Sequence, residues 1–133
     1  MKPKQNKFKI NIDPYEAIVT VIVTDNVKEV SKRIMGVDQF ESEATFIHEV
    51  PDRNKYTIVL DYKASPGTIA HEVAHLSMKL LSNCEVDIIN NDEPNSYCVG
   101  FLVDKIWFKL EKLKKKEIKV ERLVEKDDSI KNE

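Results

Sequence analysis

The sequence predicts an α+β domain, a small sheet covered by helices, and three observations lead there. Residues 17–24 (AIVTVIVT) are an almost unbroken β-branched run, which suits a central strand covered on both faces. Residues 44–50 (ATFIHEV) and 55–62 (KYTIVLDY) read as two further strands flanking the turn-forming group Pro51-Asp52-Arg53-Asn54, the pattern of a β-hairpin. Two helical stretches follow, at 66–81 and from Glu93 to about residue 115. The expected architecture is a mixed or antiparallel sheet of about three to four strands, with one covering helix and two long helices packed together.

Taken in order, residues 1–14 are lysine-rich and read as a loose leader ending at Asp13-Pro14. After the 17–24 strand, Asp25 is the expected cap of a short helix whose Val27, Val30 and Ile34 recur at helical spacing before Gly36 ends it. Residues 37–43 form a polar connection. The helix at 66–81 opens on Ser65-Pro66, a hydroxyl able to cap a free N–H followed by a proline that fits the first helical position. Ile69, Val73, Leu76 and Leu80 form its apolar stripe, and His71, His75 and Ser82 fall nearly opposite.

Beyond it, residues 86–89 have a strand-like pattern, and Asp92-Glu93-Pro94 opens the second long helix. Glu93, Gly100 and Asp104 share one side of that helix, a side expected to face the first helix, with Gly100 permitting close approach. From residue 109 the chain is heavily charged. Ile118, Val120 and Leu123 suggest a last edge strand or partner-binding segment, and residues 117–133 a partly disordered tail.

At 133 residues the chain makes a single domain, and 41% hydrophobic with 33% charged residues describes an ordinary globular composition. A formal net charge of −2 does not suggest a nucleic-acid partner, and the Lys114-Lys115-Lys116 run is interspersed with acids on both sides. No apolar run reaches bilayer-spanning length and no signal peptide is evident, so no membrane partner and a cytoplasmic location are expected. Two cysteines, Cys84 and Cys98, without C-x-x-C spacing read as reduced core residues, although Cys84 lies near enough to the first long helix to be weighed as a ligand.

The chemistry concentrates in His71-Glu72-Val73-Ala74-His75, which reads H-E-x-x-H. On a helix, histidines at i and i+4 lie one turn apart on one face and can share a zinc ion, with the glutamate beside them as a base. Isolated helical histidines are usually structural, but this chain has three histidines and two of them fall in the motif. The third, His48, sits in a predicted strand and reads as solvent-facing or supporting. Catalytic zinc takes three protein donors and keeps one position open. Glu93, at the start of the next helix, is the leading candidate for the third, with Asp92 and Asp87 as alternatives. Tyr97 is a candidate hydrogen-bond donor to a developing oxyanion, as is His48.

On these residues the chain resembles the zincin metallopeptidases, most of all their glutamate-ligand group, over about residues 56–108. The resemblance implies zinc held by His71, His75 and Glu93, Glu72 as general base, and a peptide or protein substrate laid along an edge strand of the 44–62 hairpin. The metzincin extension is absent, since Met78 and Leu81 stand where its glycine and third histidine would be. Tyr97 also replaces the aspartate that supports the ligands in thermolysin-like enzymes, leaving Asp104 or backbone carbonyls to orient the histidines. Ser96 and Tyr97 are instead similar to small zincin domains of phages and mobile elements, which places the protein in a bacterial or phage-infected cell or with a virion. The same resemblance leaves a second reading, a structural or regulatory phage or mobile-element protein that keeps the scaffold without hydrolysis.

Overall fold

The computed structural model describes residues 4–13, 15–36, 44–48 and 54–131, without the side chains of residues 46–48, 117–121 and 124–131. Strands β1 (Gln5–Ile12), β2 (Ala17–Thr24), β3 (Ala44–His48) and β4 (Lys55–Asp61) form one mixed sheet in the order β1-β2-β4-β3. Helix α1 (Val27–Met35) lies between β2 and β3 in sequence, and α2 (Pro66–Asn83) and α3 (Glu93–Lys131) follow β4. No helix among the described residues is long and apolar enough to cross a membrane.

The β-branched run of β2 is central, as its composition requires. It pairs parallel with β4, Ile18 opposite Lys55 through Thr24 opposite Asp61, and antiparallel with β1. Val19, Val21 and Val23 point into the large core beneath α2 and α3, while Ile22 joins Val27, Val30 and Val59 beneath α1. Because successive strand residues face opposite sides, burial on both faces needs the continuous apolar run found here. The sheet is thus a middle layer, with α1 on one face and α2 and α3 on the other.

Residues 5–12, read above as leader, are instead the edge strand β1. Phe8, Ile10 and Ile12 pack on the large core while Lys7, Lys9 and Asn11 are exposed, a period of two that the abundance of lysine masks. The strand is tied at its start, where the Lys4 backbone N–H donates to Asp25 Oδ1 at 3.1 Å. Asp25 is therefore occupied elsewhere, and Asn26 caps α1, its Oδ1 accepting from the Glu29 N–H at 3.0 Å. Gly36 ends α1 in the left-handed conformation at φ 76°, as expected of the residue type.

The two strands of the hairpin pair as expected over β3 and β4, antiparallel with Ala44 opposite Leu60 and His48 opposite Tyr56; residues 49–53, the expected end of the first strand and most of the turn, and the connection at 37–43 lie outside the described residues. Residues 86–89 make no strand. Asp87 instead holds a turn, accepting from the N–H groups of Ile89 and Asn90 at 3.1 and 3.2 Å and from the Asn90 side chain at 2.7 Å. Nor do residues 117–131 form an edge strand or loose tail: they continue α3 to Lys131, to a length of roughly 58 Å at 1.5 Å per residue.

Candidate metal centre

Helix α2 presents the motif. Ser65 caps it, Oγ accepting from the Thr68 N–H at 3.1 Å, and Pro66 takes the first position. Ile69, Val73, Leu76, Leu80 and Leu81 are fully buried, so the apolar stripe fixes the rotation of the helix about its axis and turns His71 and His75 outward, both exposed. Burial of these five side chains is the force that aims the histidines. At roughly 1.5–3 kcal/mol each it far exceeds anything two exposed imidazoles can return.

The two rings converge. Their Nε2 atoms stand 3.3 Å apart, with ring centroids 4.8 Å apart and the planes at 78°. Two nitrogens each about 2.0–2.1 Å from a tetrahedral zinc are themselves separated by about 3.3 Å, so the pair has the spacing a shared zinc needs. The hydrogen bond joining the rings requires the two Nε2 atoms to play opposite roles; zinc would require both to be bare and both Nδ1 atoms protonated.

Glu72 is half-buried on the flank of α2 that turns toward the sheet. Asn83, eleven residues on and so at nearly the same azimuth, marks that flank by donating to the Tyr56 hydroxyl of β4 at 3.0 Å. Burial raises the Tyr56 pKa, and the Asn83 bond offsets part of that rise. The opposite flank is marked by Ser77, whose hydroxyl donates to Asn95 Oδ1 of α3 at 2.7 Å. Ser77 also bonds the Cys98 thiol, partly opposing the upward shift that burial gives it.

Those contacts decide which side of α3 faces α2, and it is not the side expected. Cys98, Leu102, Ile106 and Leu110 are the buried stripe, with Asn95 at its start. Glu93, Gly100 and Asp104 lie roughly on the far side of the helix, all exposed; a Cβ built at Gly100 would meet nothing within 4 Å. Tyr97 is 76% exposed on that outer side, where it lines a groove with Ile12, Tyr15 and Pro94.

Glu93 and Tyr97 are therefore not brought to the histidine pair, and Asp104 is not placed to orient it. The physical reason is that the four-residue apolar stripe of α3 commits the inward face to packing, leaving the polar stripe to solvent. Asp87 is spent on its turn, and Asp92 precedes the first turn of α3, its carbonyl accepting from the Ser96 N–H. Cys84 closes α2 through its N–H to the Leu80 carbonyl. Among the described residues no three His, Cys, Asp or Glu side chains converge as a metal site. His48 ends β3, and its side chain lies outside the described residues.

The described residues thus fit zinc with two donors, His71 and His75, and no third donor converges on them among the described residues. The spacing of Cys98, Leu102, Ile106 and Leu110 marks an apolar stripe with Asn95 at its start, a signal present in the sequence, but that this stripe is the one packed against α2 is given by the fold. No protein-family model, curated protein or solved structure matches this chain.

Proposed function

We propose that this protein is a zinc-dependent peptidase of the H-E-x-x-H type, in which His71 and His75 hold the metal and Glu72 is the general base. The observation that carries the reading is the 3.3 Å separation of the two Nε2 atoms on the outward face of a helix whose rotation is fixed by its core. Bound zinc supplies a Lewis acid and lowers the pKa of water toward neutrality. Glu72, one residue from His71, accepts the proton that water loses and returns it to the leaving amine. Strand β3 is an edge of the sheet and α2 packs against it, so an extended peptide added to β3 runs beside the motif.

The test is native mass spectrometry of the full chain with added zinc, alongside peptide-library hydrolysis. About one zinc per chain is expected in wild type and Glu72→Gln, and none in His71→Ala or His75→Ala. Hydrolysis should fall about 10²-fold or more in Glu72→Gln while zinc is kept. Retention of zinc by Glu93→Ala would locate the third donor elsewhere. Wild type that takes up no zinc overturns the reading.

A second reading is favoured by one observation, the absence of a third converging donor among the described residues. On it the chain is a structural or regulatory protein, as in phages or mobile elements, that binds metal without hydrolysis. Zinc uptake with no turnover of any peptide, and no difference between wild type and Glu72→Gln, selects it.

A further inference from the structure

The outer face of α3 carries large apolar side chains that the domain leaves uncovered: Phe101 is 41% exposed and Phe108 63%. The same helix, at 39 residues, is also more than twice as long as the 18-residue α2 it packs against. Contacts with the hydrophobic core run as far as Leu113 among the described side chains, yet the helix continues 18 residues further, roughly 27 Å. A helical stretch of that length is marginal in water unless something packs on it. Both facts call for an occupant, and the charges along the face say which one.

We propose that the occupant is a second copy of this chain, its α3 running antiparallel to the first about a two-fold axis through Phe108. Positions equally far before and after residue 108 then lie opposite each other. Four residues before it is Asp104 and four after is Lys112; three before is Lys105 and three after is Glu111. Every one of these pairs is of opposite sign, and the two-fold axis makes each twice. Seven before, Phe101 meets Lys115, a cation over an aromatic face.

At fourteen and fifteen residues the pattern continues. Arg122 and Leu123, both exposed on the projecting end, arrive at Pro94 and Glu93 of the other copy. There the guanidinium meets a carboxylate, and Leu123 reaches the groove between Tyr97, Tyr15 and Ile12. In the single chain Lys112 covers the Phe108 ring at 4.5 Å and Lys105 the Phe101 ring at 5.6 Å. Pairing releases these lysines to Asp104 and Glu111 of the partner and stacks the two Phe108 rings. Each projecting helix end is covered by the body of the other copy. The interface is isologous, as a closed dimer requires.

The experiment is analytical ultracentrifugation of the full chain in EDTA, which removes any dimer bridged by zinc between exposed histidines. Wild type should sediment as a dimer at micromolar concentrations. Asp104→Lys and Lys112→Asp alone each set like charges opposite one another and should weaken self-association by about tenfold or more. Mixed one to one, the two variants should form the heterodimer in preference to either homodimer, and the double variant Asp104→Lys/Lys112→Asp should regain wild-type association. Both positions are exposed, so circular dichroism should show each variant folded. A wild type that stays monomeric into the high micromolar range overturns the proposal in favour of a different partner for this face. A dimer indifferent to both charge reversals overturns it as well.

Discussion

At the scale of single residues, the histidine pair and the stripe beneath it illustrate a division of labour. Val73 and Leu76 are fully buried and alternate along α2 with His71, His75 and Met78, which face outward. Leu76→Ala should therefore cost about 2–5 kcal/mol, whereas Met78→Ala, at a position 50% exposed, should stay within about 0.5 kcal/mol, both by urea unfolding. The two cysteines separate in the same way. Cys98 is buried and its pKa is raised by that burial, so at neutral pH it holds less thiolate than an ordinary cysteine and is hidden besides. A thiol reagent should titrate the partly exposed Cys84 in the native protein and reach Cys98 only at the rate of unfolding or local opening.

At the scale of elements, capping and turn chemistry set where α2 begins and how the chain leaves it. Ser65→Ala removes the acceptor for the Thr68 N–H and should lower stability by about 1 kcal/mol, with Ser65→Asp close to wild type in thermal unfolding. The turn after α2 depends on the ionised Asp87, whose carboxyl is held below its usual range first by the Asn90 side chain and then by the N–H groups of Asn90 and Ile89. Because the folded pKa is the lower one, this contribution is complete above the unfolded value near pH 4 and is lost as pH falls through the folded value. The stability difference between wild type and Asp87→Asn should accordingly shrink as unfolding is followed from about pH 5 downward. The same turn explains why residues 86–89 are not a strand: Val86, Ile88 and Ile89 look β-forming, but Asp87 offers the backbone a local alternative to a sheet ladder.

At the scale of the whole molecule, the parallel pairing of β2 with β4 makes the sheet a middle layer. It places β1 and β3 at the two edges, and β3 is the edge that packs against α2. Truncation of α3 after Lys116 leaves the described core contacts intact, so the shortened chain should keep its circular dichroism per folded residue and most of its stability while losing dimerisation. A truncation that unfolds the domain would show that the projecting helix supports its own body instead of a partner's.

The local features were legible from the residues alone. The cap at Ser65, the stop at Gly36, the central place of the AIVTVIVT run, the hairpin and the one-turn spacing of His71 and His75 all follow from local sterics or from a period of two or 3.6. The alternation in β1 was equally available, in Phe8, Ile10 and Ile12 between lysines and an asparagine. Only the tertiary structure decided which side of α3 faces α2, and with it the fate of Glu93 and Tyr97. Spacing shows that Glu93, Gly100 and Asp104 share a side, but not what that side touches. That choice belongs to Cys98, Leu102, Ile106 and Leu110, whose burial against α2 and the sheet outweighs any polar preference of the opposite face.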